Sequence, residues 1–177
     1  MIIDFDFDID FLRDATNLVD GRLEILDEWA ESHPAPEMYG IYDNVEYITG
    51  FGFVACQTYI TATISHSGIK KRDALDLGPR HRTGITFAAL LNACANHWKH
   101  SAEWREQELH RDAKKTNEVI AELGVDPDGP YATVNALHSL LTPHPTRFAP
   151  VLPFLVQWRD EVRSKQPHNK ALNKDAD

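Results

Sequence analysis

Apolar residues recur along most of the chain at steps of three and four, which predicts helices joined by proline- and glycine-rich turns. The clearest case runs from Thr83 to Glu106. On a wheel at 100° per residue, Phe87, Leu90, Leu91, Cys94, Trp98 and Ala102 share one side, and Asn92, Asn96, His100 and Glu103 share the other. The pattern predicts one helix with a wide apolar stripe toward the core and a narrow polar stripe facing away from it. Thr83 is the expected N-cap. The rest of the chain is expected to be organised around this helix.

At the N-terminus, Ile3, Phe5, Phe7, Ile9 and Phe11 alternate with Asp4, Asp6, Asp8 and Asp10. Strict alternation predicts a short strand with one carboxylate face, unless a helix begins near Asp8 or Asp10 instead. The Asp spacing does not fit a calcium loop, because Ile9 and Ala15 fall where Gly and Glu are needed. Leu12 to Glu31 predicts an amphipathic helix whose apolar side takes Leu12, Leu18 or Val19, Leu23, Leu26 and Trp29 or Ala30. SHPAP, from Ser32, stops it. Asp43 or Asn44 is the expected cap of a second helix reaching about Ser65. Tyr47 to Ile69 has no charged residue but is too polar for a lipid-facing span, so it reads as a buried core helix.

After Glu106 the helical pattern continues or restarts, with Gly124 suited to the position just past a helix end. Asp126-Pro-Asp-Gly-Pro is a turn. A short helix is expected over Tyr131 to Leu141, and a last one from near Pro153, with proline in its first turn. The expected architecture is all-α: an up-down bundle of about five to six helices over 1–163, with one short N-terminal strand as an option and a polar tail over 164–177.

With 177 residues and 42% hydrophobic content, the chain suffices for one domain with its own core. Its net charge of −9 argues against general non-specific DNA binding. Cys56 and Cys94 are too few and too far apart for a disulfide framework, and the acidic N-terminus is unlike a secretory signal. A cytoplasmic protein is the expectation. The one basic island is the connection ahead of the central helix, with Lys70, Lys71, Arg72, Arg80 and Arg82 as candidate phosphate contacts.

Asn96-His97-Trp98-Lys99-His100, followed by Glu103, is the densest set of functional side chains. His100 suits acid–base work near neutral pH, Asn96 can orient an anion, and Lys99 adds a cation. A metal site on His97, His100 and Glu103 or His110 lacks a supporting pattern, so neither a metal nor a cofactor is expected.

ANHWKH, Ala95 to His100, resembles the motif of the HEPN family (higher eukaryotes and prokaryotes nucleotide-binding domains). The likeness lies in its Asn, its terminal His and its place on a long mid-chain helix. The resemblance implies an all-α bundle, often dimeric, of a toxin, anti-phage or RNA-processing type. It also implies metal-independent attack of an RNA 2′-hydroxyl on the neighbouring phosphate. Ala95 stands where the family has Arg, so the cation would come from Arg80 or Arg82 of a second copy, or from Arg105. Literal Arg-x4-His spacings occur at Arg105–His110 and Arg163–His168. The candidate catalytic set is thus His100, Asn96, Arg105 and His110, in a homodimer acting on RNA or a nucleotide. The alternative is a non-catalytic acidic module, of the antitoxin, immunity-protein or phage-inhibitor kind, drawn to a basic protein partner.

Overall fold

The computed structural model describes residues 7–106, 111–144 and 146–166. Among these, seven α-helices form an all-α bundle: α1 (Phe7–Ser32), α2 (Ile41–Ser65), α3 (Lys71–Leu75), α4 (Phe87–Glu106), α5 (Arg111–Ala121), α6 (Ala132–Leu141) and α7 (Leu152–Ser164). The helix not foreseen is the single turn and a half of α3. No strand occurs among the described residues; Arg80 and Thr86 form one isolated antiparallel bridge.

The centre is shared between α2 and α4. α2 packs on α1, α4, α6 and α7, and α4 packs on α2, α5, α6 and α7. Their common core holds Phe53, Ile60, Leu90, Leu91, Leu137, Leu155 and Trp158, all fully buried. Of the apolar stripe expected for α4, Phe87, Leu90, Leu91 and Cys94 are buried and Trp98 is half-buried.

At the N-terminus, residues 3–6 of the alternating stretch lie outside the described residues. From Phe7 onward the chain is helical, not extended. Asp8 and Asp10 then occupy the first turn, where carboxylates oppose the positive end of the helix dipole. Along α1, Ile9, Leu12, Thr16, Leu23 and Leu26 are buried, with Val19 and Ala30 partly so. Leu18 and Trp29 point outward, which settles the two choices left by the wheel.

Local stereochemistry explains the helix ends. Pro36 opens a 3-10 turn over Pro36–Tyr39, and Gly40, in the left-handed region at φ 64°, turns the chain into α2. Helix α2 thus starts ahead of Asp43 and Asn44. Asn44 instead donates from its side chain to the Gly40 carbonyl at 2.8 Å. Helix α4 is capped by Thr86 rather than Thr83: Thr86 Oγ1 accepts from Ala89 N–H at 3.2 Å and donates to the Leu75 carbonyl. Gly124, at φ 76°, follows α5 as expected, and α7 carries Pro153 in its first turn.

Two carboxylates from the neighbouring layer cap helical segments that have no capping side chain of their own. Glu46 of α2 accepts from Thr133 N–H at 2.9 Å and Val134 N–H at 3.0 Å, at the start of α6. Asp20 of α1 accepts from Phe148 and Ala149 N–H at 2.7 and 2.8 Å. Such links fix the ends of the later helices onto the first two.

Candidate functional site

The polar stripe of α4 does not face away from the core as expected. Its first half turns onto α2. Gln57, buried in the middle of the uncharged stretch of α2, donates through Nε2 to Asn96 Oδ1 at 2.7 Å and to Asn92 Oδ1 at 3.0 Å. Its Oε1 accepts from Lys99 Nζ at 2.6 Å. A side-chain amide is costly in an apolar interface unless both of its ends are bonded, and the two asparagines and the lysine meet that demand. The outward reading failed because nothing local says that Asn92 and Asn96 meet another amide. The long-range partner was the missing piece, although Gln57 is conspicuous as the one amide of the uncharged stretch.

The second half of the stripe reaches the surface. His100 keeps 42% of its side chain exposed, and its Nδ1 lies 3.2 Å from Glu103 Oε2. One residue back, the Lys99 ammonium donates to Gln57, whose other end donates to the asparagines. The site therefore joins an imidazole oriented by a carboxylate to an ammonium oriented by an amide. An anion seated at this rim would find an ammonium on one residue of α4 and an imidazole on the next.

A cleft of about 860 Å³ adjoins this rim, lined by Glu46, Tyr47, Trp98, Lys99, Tyr131 and Thr133, among others. Lys99 lines it from the site. Tyr47 stands edge-on to Trp98 with ring centroids 6.3 Å apart. His97 is buried beside it.

The other candidate residues are dispersed. Arg105 belongs to the last turn of α4, and His110 lies outside the described residues. Arg80 is tied into its own loop, donating to the Asp76 carbonyl at 3.0 Å, to Asp76 Oδ1 at 3.0 Å and to the Gly84 carbonyl at 2.9 Å. Arg82 is exposed, Lys70 immediately precedes α3, and Lys71 and Arg72 are exposed on it. From Phe87 to His100 is thirteen residues of helix, about 20 Å at 1.5 Å per residue, so this basic loop lies at the far end of α4 from the imidazole.

Both cysteines are buried and free. Burial raises both thiols, Cys94 to about 12, which keeps them protonated and unreactive. Among the described residues, no group of three or more His, Cys, Asp or Glu is placed to hold a metal ion, and no helix is long and apolar enough to cross a membrane. Comparison with protein-family models, curated proteins and solved structures finds no match to this chain.

Proposed function

We propose that the protein is a HEPN-like, RNA-directed factor of a toxin or anti-phage type, working as a homodimer. Lys99 supplies the cation that Ala95 does not. The observation that carries this reading is the pairing of two oriented groups on adjacent residues: Lys99 Nζ held by Gln57 Oε1, and His100 Nδ1 set against Glu103 Oε2.

In the proposed reaction the His100 ring donates Nδ1–H to Glu103, so the neutral tautomer carries its lone pair at Nε2. Nε2 takes the proton of an RNA 2′-hydroxyl as that oxygen attacks the adjacent phosphorus. The Lys99 ammonium meets the negative charge that builds on the non-bridging oxygens. The bond from phosphorus to the 5′-oxygen breaks and that oxygen takes up the proton now on Nε2, passed through water, leaving a 2′,3′-cyclic phosphate, a 5′-hydroxyl and a neutral His100. Asn96 and Gln57 act on Lys99, not on the RNA. They are positioning residues.

The test is cleavage of end-labelled single-stranded RNA with excess chelator present. The expected result is fragments ending in cyclic phosphate. His100→Ala should slow their formation about 100-fold or more, the scale on which positioned acid–base groups act. Lys99→Ala should slow it while the fold survives. Unchanged cleavage by His100→Ala, or no cleavage above buffer by the parent protein, would remove the reading.

A further inference from the structure

Helix α1 carries a second apolar row that the bundle does not use. Phe11, Leu18 and Ile25 repeat at seven-residue steps, interleaved with Ala15, Arg22 and Trp29, and all six fall within about 80° of the helix surface. The four large ones are 74%, 78%, 42% and 45% exposed for Phe11, Leu18, Ile25 and Trp29. The Arg22 guanidinium lies over the Trp29 ring at 5.0 Å, so even the charged member of the row is folded along it. The row spans eighteen residues, about 27 Å. An apolar strip that long and that regular marks an interaction site on a water-soluble face.

We infer that this row docks an amphipathic, basic α-helix of another protein. The heptad spacing selects a helix, because only helical knobs recur at matching intervals along a straight seam. Charge selects the sign. One flank of the row is the buried face of α1, and the other carries Asp10, Asp14, Glu24 and Glu28, all exposed. Across Phe7–Ser32, eight carboxylates stand against two arginines, and one of these, Arg13, is already paired with Asp10 at 2.5 Å. A second copy of α1 would bring the same acidic flank against this one, whereas lysines or arginines beside a leucine row would complement it. The inference is independent of the RNA-directed reading, since the α1 row shares no residue with the Lys99–His100 site.

The probe is a pair of helical peptides of about three heptads, with leucine at the seam positions and either lysine or glutamate flanking them. Fluorescence anisotropy follows binding to the full chain and to a Phe11→Ser, Leu18→Ser variant. Both residues are exposed, so circular dichroism of that variant should match the parent. The lysine peptide should bind, lose affinity as salt is raised, and bind the variant at least about tenfold more weakly. The glutamate peptide should not bind. Equal binding of the two peptides, no binding of either, or unchanged binding by the variant would overturn the inference. So would a dimer in sedimentation that the variant turns into a monomer, because the row would then belong to a second copy.

Discussion

Gly50 and Trp98 meet at a point where no side chain fits. A Cβ on Gly50 would lie 2.1 Å from Trp98 Nε1, in hard overlap with the indole. Two residues on, a Cβ on Gly52 would lie 2.2 Å from Phe148 Cε2. Helix α2 thus offers two notches, one for a knob from α4 and one for a knob from the segment before α7.

Alanine at either glycine should destabilise the protein, although alanine is the better helix former by about 1 kcal/mol. Overpacking costs about 1–3 kcal/mol when neighbours must move, and the neighbours here differ. Phe148 is fully buried and has nowhere to go, while Trp98 is half-buried and can swing toward solvent. Gly52→Ala should therefore lower stability by about 1–2 kcal/mol net, and Gly50→Ala by less. Urea unfolding of both variants checks the order. Equal stability of Gly52→Ala and the parent would mean that α2 can shift as a unit.

The legibility of these features in the sequence follows their range. Gly124 after α5, Pro153 in α7 and the stop at Ser32 are governed by the dihedral limits of one or two residues, and each was readable. Leu18 against Val19 and Trp29 against Ala30 were not. Each pair is adjacent, both members continue a three-four pattern, and they differ by 100° about an axis whose orientation is set only by what α1 packs on. Thr83 and Thr86 are equally good caps in isolation. The choice falls to Thr86 because its hydroxyl also reaches the Leu75 carbonyl, eleven residues back. The inward turn of Asn92 and Asn96 was hidden for the same reason, since Gln57 lies 35 and 39 positions away.

Glu46→Gln should cost about 1–2 kcal/mol. The carboxylate accepts from the second and third N–H groups of α6, the pair an N-cap side chain would normally take. Tyr131 sits at the cap with φ 55° and offers no side-chain acceptor. An amide keeps one acceptor, turns an NH2 toward the other backbone N–H and loses the negative charge opposing the dipole. Thermal melting should show a drop of a few degrees, on the order of 2–4 °C per kcal/mol for a chain of this size. Hydrogen exchange should show the loss concentrated at Thr133 and Val134. Unchanged protection of those two amides would contradict the capping role.

Acid should weaken the fold partly through His81. Burial, then the neighbouring Arg82 charge, lowers its pKa below the ordinary 6.5. Between the lowered folded value and 6.5 the unfolded chain binds more protons, so stability increases with pH across that window. The contribution is complete above 6.5, declines as pH falls toward the folded value, and changes no further below it. Urea midpoints at about pH 7.5 and about pH 5 should therefore differ less in His81→Gln than in the parent, the carboxylates being common to both. An identical pH slope in the two proteins would show that His81 is not held neutral by the fold.

Gln57 separates the two demands on the α2–α4 seam, filling space and joining polar groups. Leucine at 57 fills similar space but removes the shared donor of Asn92 and Asn96 and the acceptor of Lys99. Lys99 is exposed and can turn to water, whereas the oxygens of Asn92 and Asn96, both half-buried at the seam, lose the donor they share. A loss of about 1–3 kcal/mol should follow, the usual cost of stranding a buried polar group. Glutamate at 57 keeps the length, pairs with the Lys99 ammonium and can accept from both asparagines once their amides rotate. It should lose less than leucine, with the difference shrinking as salt is raised. Unfolding of the two variants at low and high salt decides the matter. Leucine as stable as the parent would show that shape alone holds the seam. Glutamate worse than leucine would show that removing a carboxylate from water outweighs its pairing there.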